Sequence, residues 1–315
     1  MIVRALVVGA RGAVGRHVVD ALRSGGHDVT PAGRSGPDGG ARVDLTGSAG
    51  LEQLGRAAAG HDVVINASGI EDPRLAEVLD GAALVDISAT SRYLVALRAS
   101  VPAGTSVVLG AGLVPGLSTV LISATEARRG DEVDLAVMLG SGEKHGAAAV
   151  AWTEALVGSD LHAPPEGGRV RNLHERRRIV GPDGRRRTHL RTDLADHVLT
   201  DDLVVRSWLT FSSATATAAV AVVGRLGRGG RLIGGAPLLG SDAWSLQATV
   251  RRNGRQLTAV GSGQSRATGL LTALAAERVV DVAPGRCVTM ADLVTAEEAV
   301  GALAPAATGW TAQGA

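Results

Sequence analysis

Gly9, Gly12 and Gly15 stand three residues apart in "VVGARGAVGRHVV", residues 7 to 19. The chemistry this spacing suits is the binding of a pyrophosphate. Gly9 would let the backbone turn tightly, Gly12 would let the main chain approach the phosphates, and Gly15 would let the next helix pack closely on the strand. The amides around Arg11, Ala13 and Val14 would face negative charge, which a helix N-terminus favours. A second group decides which nucleotide fits. Chains built for NAD place an acidic residue at the end of the second strand. Here that segment is "PAGRSG", with Arg34 and Ser35 and no carboxylate. A guanidinium pairs bidentately with a 2′-phosphate. One charge-assisted bond of roughly 1.5–3 kcal/mol would favour NADPH by about tenfold to a hundredfold. Arg11 would lie over the adenine or near the same phosphate. NADPH/NADP is therefore the expected cofactor.

A hydride transfer also needs a proton donor close to the accepting atom. "GSGEKHG", residues 140 to 146, holds Lys144 beside His145, and Lys144 is the sole lysine of the chain. His145, with an ordinary pKa near ~6.5, can donate at neutral pH. Lys144 can orient a carboxylate, or donate if burial lowers its pKa. The plainer alternative is a polar loop capping a helix. Tyr93, the only tyrosine, is a third candidate. Position 97 is Leu97, so the Tyr-x-x-x-Lys dyad of short-chain reductases is absent. His162 and His197 show no ligand spacing, and the single cysteine, Cys287, allows no zinc pattern, so no metal is expected. His174 and His189 lie in a basic stretch and are expected to be exposed.

The elements that must position these groups alternate in type. Short apolar runs at 2–8, 27–33, 41–46, 61–68, 83–88 and 105–110 are separated by amphipathic segments near 13–24, 48–59, 72–80 and 91–99. This pattern predicts a Rossmann-type, doubly wound parallel sheet, an α/β fold. Ligands collect at the carboxyl ends of such strands. The segments after the fourth and fifth strands therefore become site candidates: Asn66, Ala67, Ser68 and Gly69, then Asp86 and Ser88. Asp86 suits either a loop-holding role or a contact to ribose or substrate. Pro115 suits the first turn of the helix after "GAGLVPG".

Beyond residue 125 the pattern shifts to hairpins. "GPDG" at 181–184 and Asn253-Gly254 are turn signals between extended runs. A second, smaller α+β domain on a largely antiparallel sheet is expected over residues 126–262. Residues 1–125 plus 263–315 are expected to form the dinucleotide-binding domain.

The first 125 residues resemble the saccharopine dehydrogenase-like NADP-binding oxidoreductases. The resemblance rests on "VVGARGAVGRHV", "AGRS", "DVVINASGI", "AALVDISA" and "GAGLVPGLSTVL". It departs where the fifth strand continues into Ser88-Ala89-Thr90 in place of the Gly-Glu common in that family. The resemblance implies an NADP-dependent oxidoreductase and leaves the substrate open.

Composition bounds the rest. The formal net charge of +1 and the 2% aromatic content give no basis for nucleic-acid binding. The start of the chain reads as a strand and not as a signal peptide, no membrane span is expected, and the single cysteine suits the cytoplasm. The functional expectation is an NADPH-dependent reductase of a small imine, ketone or activated alkene, acting as a homodimer. The alternatives are a non-catalytic NADP(H)-sensing protein and a redox-neutral isomerase that retains NADP(H).

Overall fold

The computed structural model describes residues 1–143, 146–230, 239–304 and 307–313. In chain order the strands are β1 (Arg4–Val8), β2 (Asp28–Gly33), β3 (Ala41–Arg42), β4 (Val63–Asn66), β5 (Ala83–Asp86), β6 (Val107–Leu109), β7 (Glu132–Leu139), β8 (Arg176–Val180), β9 (Arg186–Arg191), β10 (Val204–Phe211), β11 (Ala243–Val250), β12 (Gln256–Ser262), β13 (Cys287–Thr289) and β14 (Ala307–Gln313). The described strands form two seven-stranded sheets, and the chain divides into two compact units.

The first unit comprises Met1–Leu117 and Ser265–Thr295. Its sheet runs β13-β6-β5-β4-β1-β2-β3, and every pairing is parallel. Strands buried on both faces need no polar alternation, and β4 and β5 are buried throughout. The strand order reverses beside β1, as in a Rossmann fold. In register, Val8 pairs with Ala32 and Asn66, Asn66 with Asp86, and Asp86 with Leu109. These residues stand level along one edge, so the loops that leave them emerge side by side. The short strand β13, which the sequence pattern did not single out, extends the sheet beyond β6.

The second unit comprises Ser118–Gln264 and Ala296–Ala315. Its sheet runs β14-β12-β11-β7-β10-β9-β8, antiparallel except for the β7–β10 pair. The two predicted hairpins are present as β8–β9 and β11–β12. Helix Ala214–Leu226 is capped by Ser213, which accepts from the Ala216 amide, and ends at Gly227 in the left-handed region.

His189, expected to be exposed, is buried with Arg191 at the end of the basic hairpin, whose arginines Arg176, Arg177, Arg178, Arg185 and Arg186 are exposed. Arg191 is 1% exposed and His189 4%. Arg191 binds the Glu166 carboxylate and lies over the Trp208 ring, and Arg177 lies over the same ring. Trp208 donates to Asp134, which also receives Arg251 through two nitrogens. Ion pairing and stacking bring arginine into the interior where composition alone suggests solvent. Burial of His189 pushes its imidazole down to about 4.

Asp196, on the short helix Asp196–Leu199, is fully buried. Its carboxyl faces Ser118, which only partly offsets burial, and neither oxygen has a well-formed hydrogen bond. Its pKa is pushed up to about 6. Pro115 differs from its expected place in the first helical turn: it precedes the helix Leu117–Ala124 and follows a cis peptide bond.

Candidate functional site

The glycine turn follows β1 directly. Gly9 has φ of 84°, and a Cβ there would lie 2.4 Å from the Ala67 carbonyl oxygen. A Cβ on Gly15 would lie 2.2 Å from the Gly9 carbonyl oxygen. Both positions thus exclude any side chain, one for turn geometry and one for helix packing. Gly12 is more open, with Gly9 O at 3.0 Å from its would-be Cβ. The Gly12 amide closes the turn onto Gly9 O at 2.8 Å.

The helix Gly15–Ser24 begins with Val14 at its N-cap, makes no side-chain cap and carries no acidic residue in its first turn. Valine is among the poorest N-cap residues. Among the described residues, no acceptor takes up the amides of Ala13, Val14 and Gly15. A helix start of this kind is complementary to a phosphate.

The end of β2 closes onto the same turn. The Gly9 and Ala10 amides donate to the Ala32 carbonyl at 2.9 and 3.2 Å. The Arg11 guanidinium reaches across to donate to the Ser35 hydroxyl. Arg34 is exposed beside them. Asp44, close enough to Arg34 and Arg42 to feel their charges, accepts through Oδ1 from the amide and hydroxyl of Thr46 at 3.1 and 2.6 Å. Those bonds, with the charges of Arg34 and Arg42, hold its carboxyl below the usual range.

Asn66 ends β4 with its side chain buried. Its Nδ2 donates to Asp86 Oδ2 at 2.8 Å and to the Ile70 carbonyl at 3.0 Å. Its Oδ1 accepts from the Ser68 hydroxyl at 2.6 Å, and Ser68 Oγ accepts from the Ile70 amide at 3.1 Å. The Ala67–Ile70 loop is thus shaped by one asparagine. Gly69, at its tip, is exposed with φ of 76°.

Asp86 ends β5 with no exposure. It accepts from Asn66, from the Ser88 amide at 2.7 Å and from the Tyr93 hydroxyl at 2.8 Å. Burial pushes its carboxyl up, and the Asn66, Ser88 and Tyr93 donors partly offset that. Tyr93 is 5% exposed. Burial and then the neighbouring Asp86 push its phenol well above the ordinary value.

Two neighbours of this cluster carry no signal in the sequence. Glu71 is an exposed residue close to Thr90 and Asp86. The protein surrounding that carboxyl and the charge of Asp86 push its pKa up, and the nearby Thr90 hydroxyl partly offsets this. Thr90 occupies the N-cap of helix Ser91–Ala99 yet makes no cap bond. A capping threonine is ordinarily worth about 0.5–2 kcal/mol, and Thr90 does not make that bond. Spacing alone could not find this pair, because Thr90 follows β5 and Glu71 follows β4.

The structure therefore brings together Gly9, Arg11, Gly12, Ala13, Val14, Gly15, Arg34 and Ser35 at one end of the strand edge. It brings together Asn66, Ala67, Ser68, Gly69, Asp86, Ser88 and Tyr93 at the other. Lys144 and His145 lie outside the described residues.

Residues 5–127 match the NAD dependent epimerase/dehydratase family. That match covers the glycine turn, β1 to β6 and the helices between them. It describes a Rossmann-type nucleotide family and not the saccharopine dehydrogenase-like proteins. Among solved structures, the WlbA (WbpB) dehydrogenase from Thermus thermophilus, in complex with NAD and UDP-GlcNAcA, is similar at 13% identity, covering 96% of this chain and 92% of that one, with a TM-score of 0.40. Aspartate semialdehyde dehydrogenase II from Vibrio cholerae is similar at 9% identity over 84% of this chain and 75% of that one, with a TM-score of 0.33. A nucleoside-diphosphate-sugar epimerase from Pseudomonas aeruginosa is similar at 16% identity over 42% of this chain, with a TM-score of 0.24; the chain spans 62% of its length. No curated protein matches the chain. Among the described residues, no helix is long and apolar enough to cross a membrane.

Proposed function

We propose that the chain binds NADPH and reduces a small imine, ketone or activated alkene. The observation that carries this reading is the uncapped helix start at Ala13, Val14 and Gly15, with Arg34, Arg11 and Ser35 gathered beside it. The free amides suit the pyrophosphate. The two guanidiniums and the serine hydroxyl suit a 2′-phosphate, and Asp44 Oδ1 is already committed to Thr46. The match to a family described as NAD dependent supports a nicotinamide nucleotide.

When bound, the nicotinamide supplies the hydride. The chain's own residues bind and orient it. The Ala67–Gly69 loop and Ser88 flank the end of the strand edge where the nicotinamide and the substrate would meet. Asn66 and Asp86 hold these two loops in place from below. Tyr93, with its hydroxyl committed to Asp86, serves as an anchor for that carboxylate and not as a proton donor.

Titration with NADPH and with NADH, followed by nicotinamide fluorescence, tests the reading. At least a tenfold preference for NADPH is expected. Failure to bind either nucleotide would overturn it. The epimerase/dehydratase description of the matched family favours a redox-neutral reaction as a second reading. Net oxidation of NADPH during turnover separates the two.

A further inference from the structure

The hairpin of β8 and β9 sorts its arginines by face. Directly opposite residues share a face, and the register sets Arg176 against Leu190, Arg178 against Thr188 and Val180 against Arg186. The other face carries Arg177, Ile179, Arg187 and His189. There Arg177 is paired with Asp134, and Arg187 with Asp183 through two nitrogens. On the first face Arg176, Arg178 and Arg186 are exposed, and among the described residues none of the three has a hydrogen bond, an ion pair or a ring contact. The whole chain carries a formal net charge of only +1, so this row of uncompensated guanidiniums is a local feature.

The same strand has an open edge. β8 ends the second sheet, and β9 is its one neighbour among the described strands. Two bonds fix the phase of that pairing: the Gly181 amide donates to the Arg185 carbonyl, and the Arg191 amide to the Glu175 carbonyl, both at 2.9 Å. Bonded pairs alternate along an antiparallel ladder. Glu175, Arg177, Ile179 and Gly181 therefore turn their backbone groups toward β9, whereas Arg176, Arg178 and Val180 turn theirs outward. The residues with unpaired backbone groups thus include two of the three unpaired arginines.

We propose that β8 is the docking edge for an extended acidic segment of a partner protein, which lengthens the second sheet by one strand. A bare edge pairs with extended chain. A second copy of this edge would lay arginine against arginine, so charge selects a partner of the opposite sign. A segment with a carboxylate at every second residue presents them on one face about 6.8 Å apart, the spacing of Arg176 and Arg178 along β8. The segment's backbone bonds to Arg176, Arg178 and Val180 and fixes its register. Its carboxylates bind Arg176 and Arg178, with Arg186 on the adjoining strand adding to the attraction. Val180, 47% exposed on the same face, adds an apolar contact. The surface lies within the second unit and stands apart from the nucleotide reading.

The probe is a fluorescein-labelled peptide of four Glu-Val repeats, titrated against the full chain by anisotropy. Binding is expected, weakening as salt rises. The double variant Arg176→Glu/Arg178→Glu alters two exposed side chains. It should keep the parent's thermal midpoint and lose at least about tenfold in affinity. The same peptide N-methylated at every residue keeps its charge but has no amide to donate. It should bind the unaltered protein at least about tenfold more weakly, a comparison that needs no variant to fold. Hydrogen exchange over residues 176–180 should slow when the unmethylated peptide is bound. No binding by the unaltered protein, or undiminished binding by the double variant, would overturn the proposal. So would equally tight binding of the N-methylated peptide or of an oligothymidine of matched charge, since either shows a surface that reads charge without pairing a strand.

Discussion

Tyr93 donates its hydroxyl to Asp86 Oδ2 across 2.8 Å, and Asn66 Nδ2 reaches the same oxygen at the same distance. One buried carboxylate thereby ties the end of β4, the end of β5 and the following helix to a common point. The loops above it are the ones that would meet the nicotinamide.

Removing the phenol hydroxyl should loosen this point. Tyr93→Phe leaves Asp86 buried with one donor fewer, a loss of about 1–3 kcal/mol. The sign with pH is fixed. Asp86 already has a raised folded pKa, so its contribution to stability is fullest in acid and is lost as pH rises through that value. Removing a donor to the ionised form raises the pKa further. Urea denaturation should show a larger deficit at pH 7.5 than at pH 4, and an equal deficit at both would count against this role for Tyr93.

The glycine turn should tolerate substitution unequally. Gly9→Ala places a Cβ 2.4 Å from the Ala67 carbonyl oxygen at positive φ, and Gly15→Ala places one 2.2 Å from Gly9 O. Each should lose about 1–3 kcal/mol or more through overpacking against backbone. Gly12→Ala, with 3.0 Å to Gly9 O, should fold nearly as well as the parent and weaken nucleotide binding instead. Thermal denaturation paired with NADPH titration distinguishes the three.

Arg34→Ala should lower NADPH affinity by about tenfold to a hundredfold and leave NADH affinity nearly unchanged. Equal losses for both nucleotides would assign Arg34 to a general electrostatic role. Arg11→Ala should act in the same direction and also release Ser35, its hydrogen-bond acceptor.

Two buried groups of the second unit should oppose one another in mild acid. The Asp196 pKa is raised to about 6. The cost of ionising it in the folded state is absent below the ordinary aspartate range and grows to about 3 kcal/mol as pH rises past 6. His189 is depressed to about 4, so its contribution is present above the ordinary histidine value near ~6.5 and falls by about 3 kcal/mol as pH drops through 4. Asp196→Asn should unmask the histidine and make the protein less stable at pH 4.5 than at pH 7. His189→Gln should unmask the aspartate and give the reverse slope. Denaturation midpoints at the two pH values read both effects, and parallel slopes in the two variants would contradict the assignment.

The first unit was largely legible because its signals are local. A run of Val and Leu ending at Gly9, followed by a helical stripe, specifies strand, turn and helix without knowledge of distant residues. Asn66 and Asp86 were also legible as strand ends. Their partnership was not, since it depends on the register of β4 against β5. His189 was misjudged because it stands between Arg187 and Arg191 in a basic stretch, whereas the end of β9 that carries it pairs with β10 and is buried, Arg191 included. The three residues of β13 carry no periodicity long enough to register, and only the vacant edge of β6 makes them a strand.

The order in which the strands occur along the chain has a consequence for synthesis. The first sheet gains β13, and the second gains β14, only after all their other strands have been made. A chain emerging from a ribosome therefore holds both β6 and β12 as bare edges until those last strands appear, with unpaired backbone groups open to misassociation. The arginines of β8 offer like-charge repulsion at another edge of the second sheet, whereas β6, with its three apolar residues Val107–Leu109, has no such guard. Shortness is its protection while it waits, and a nascent chain stalled before residue 287 is the species in which a chaperone contact at that edge should be sought.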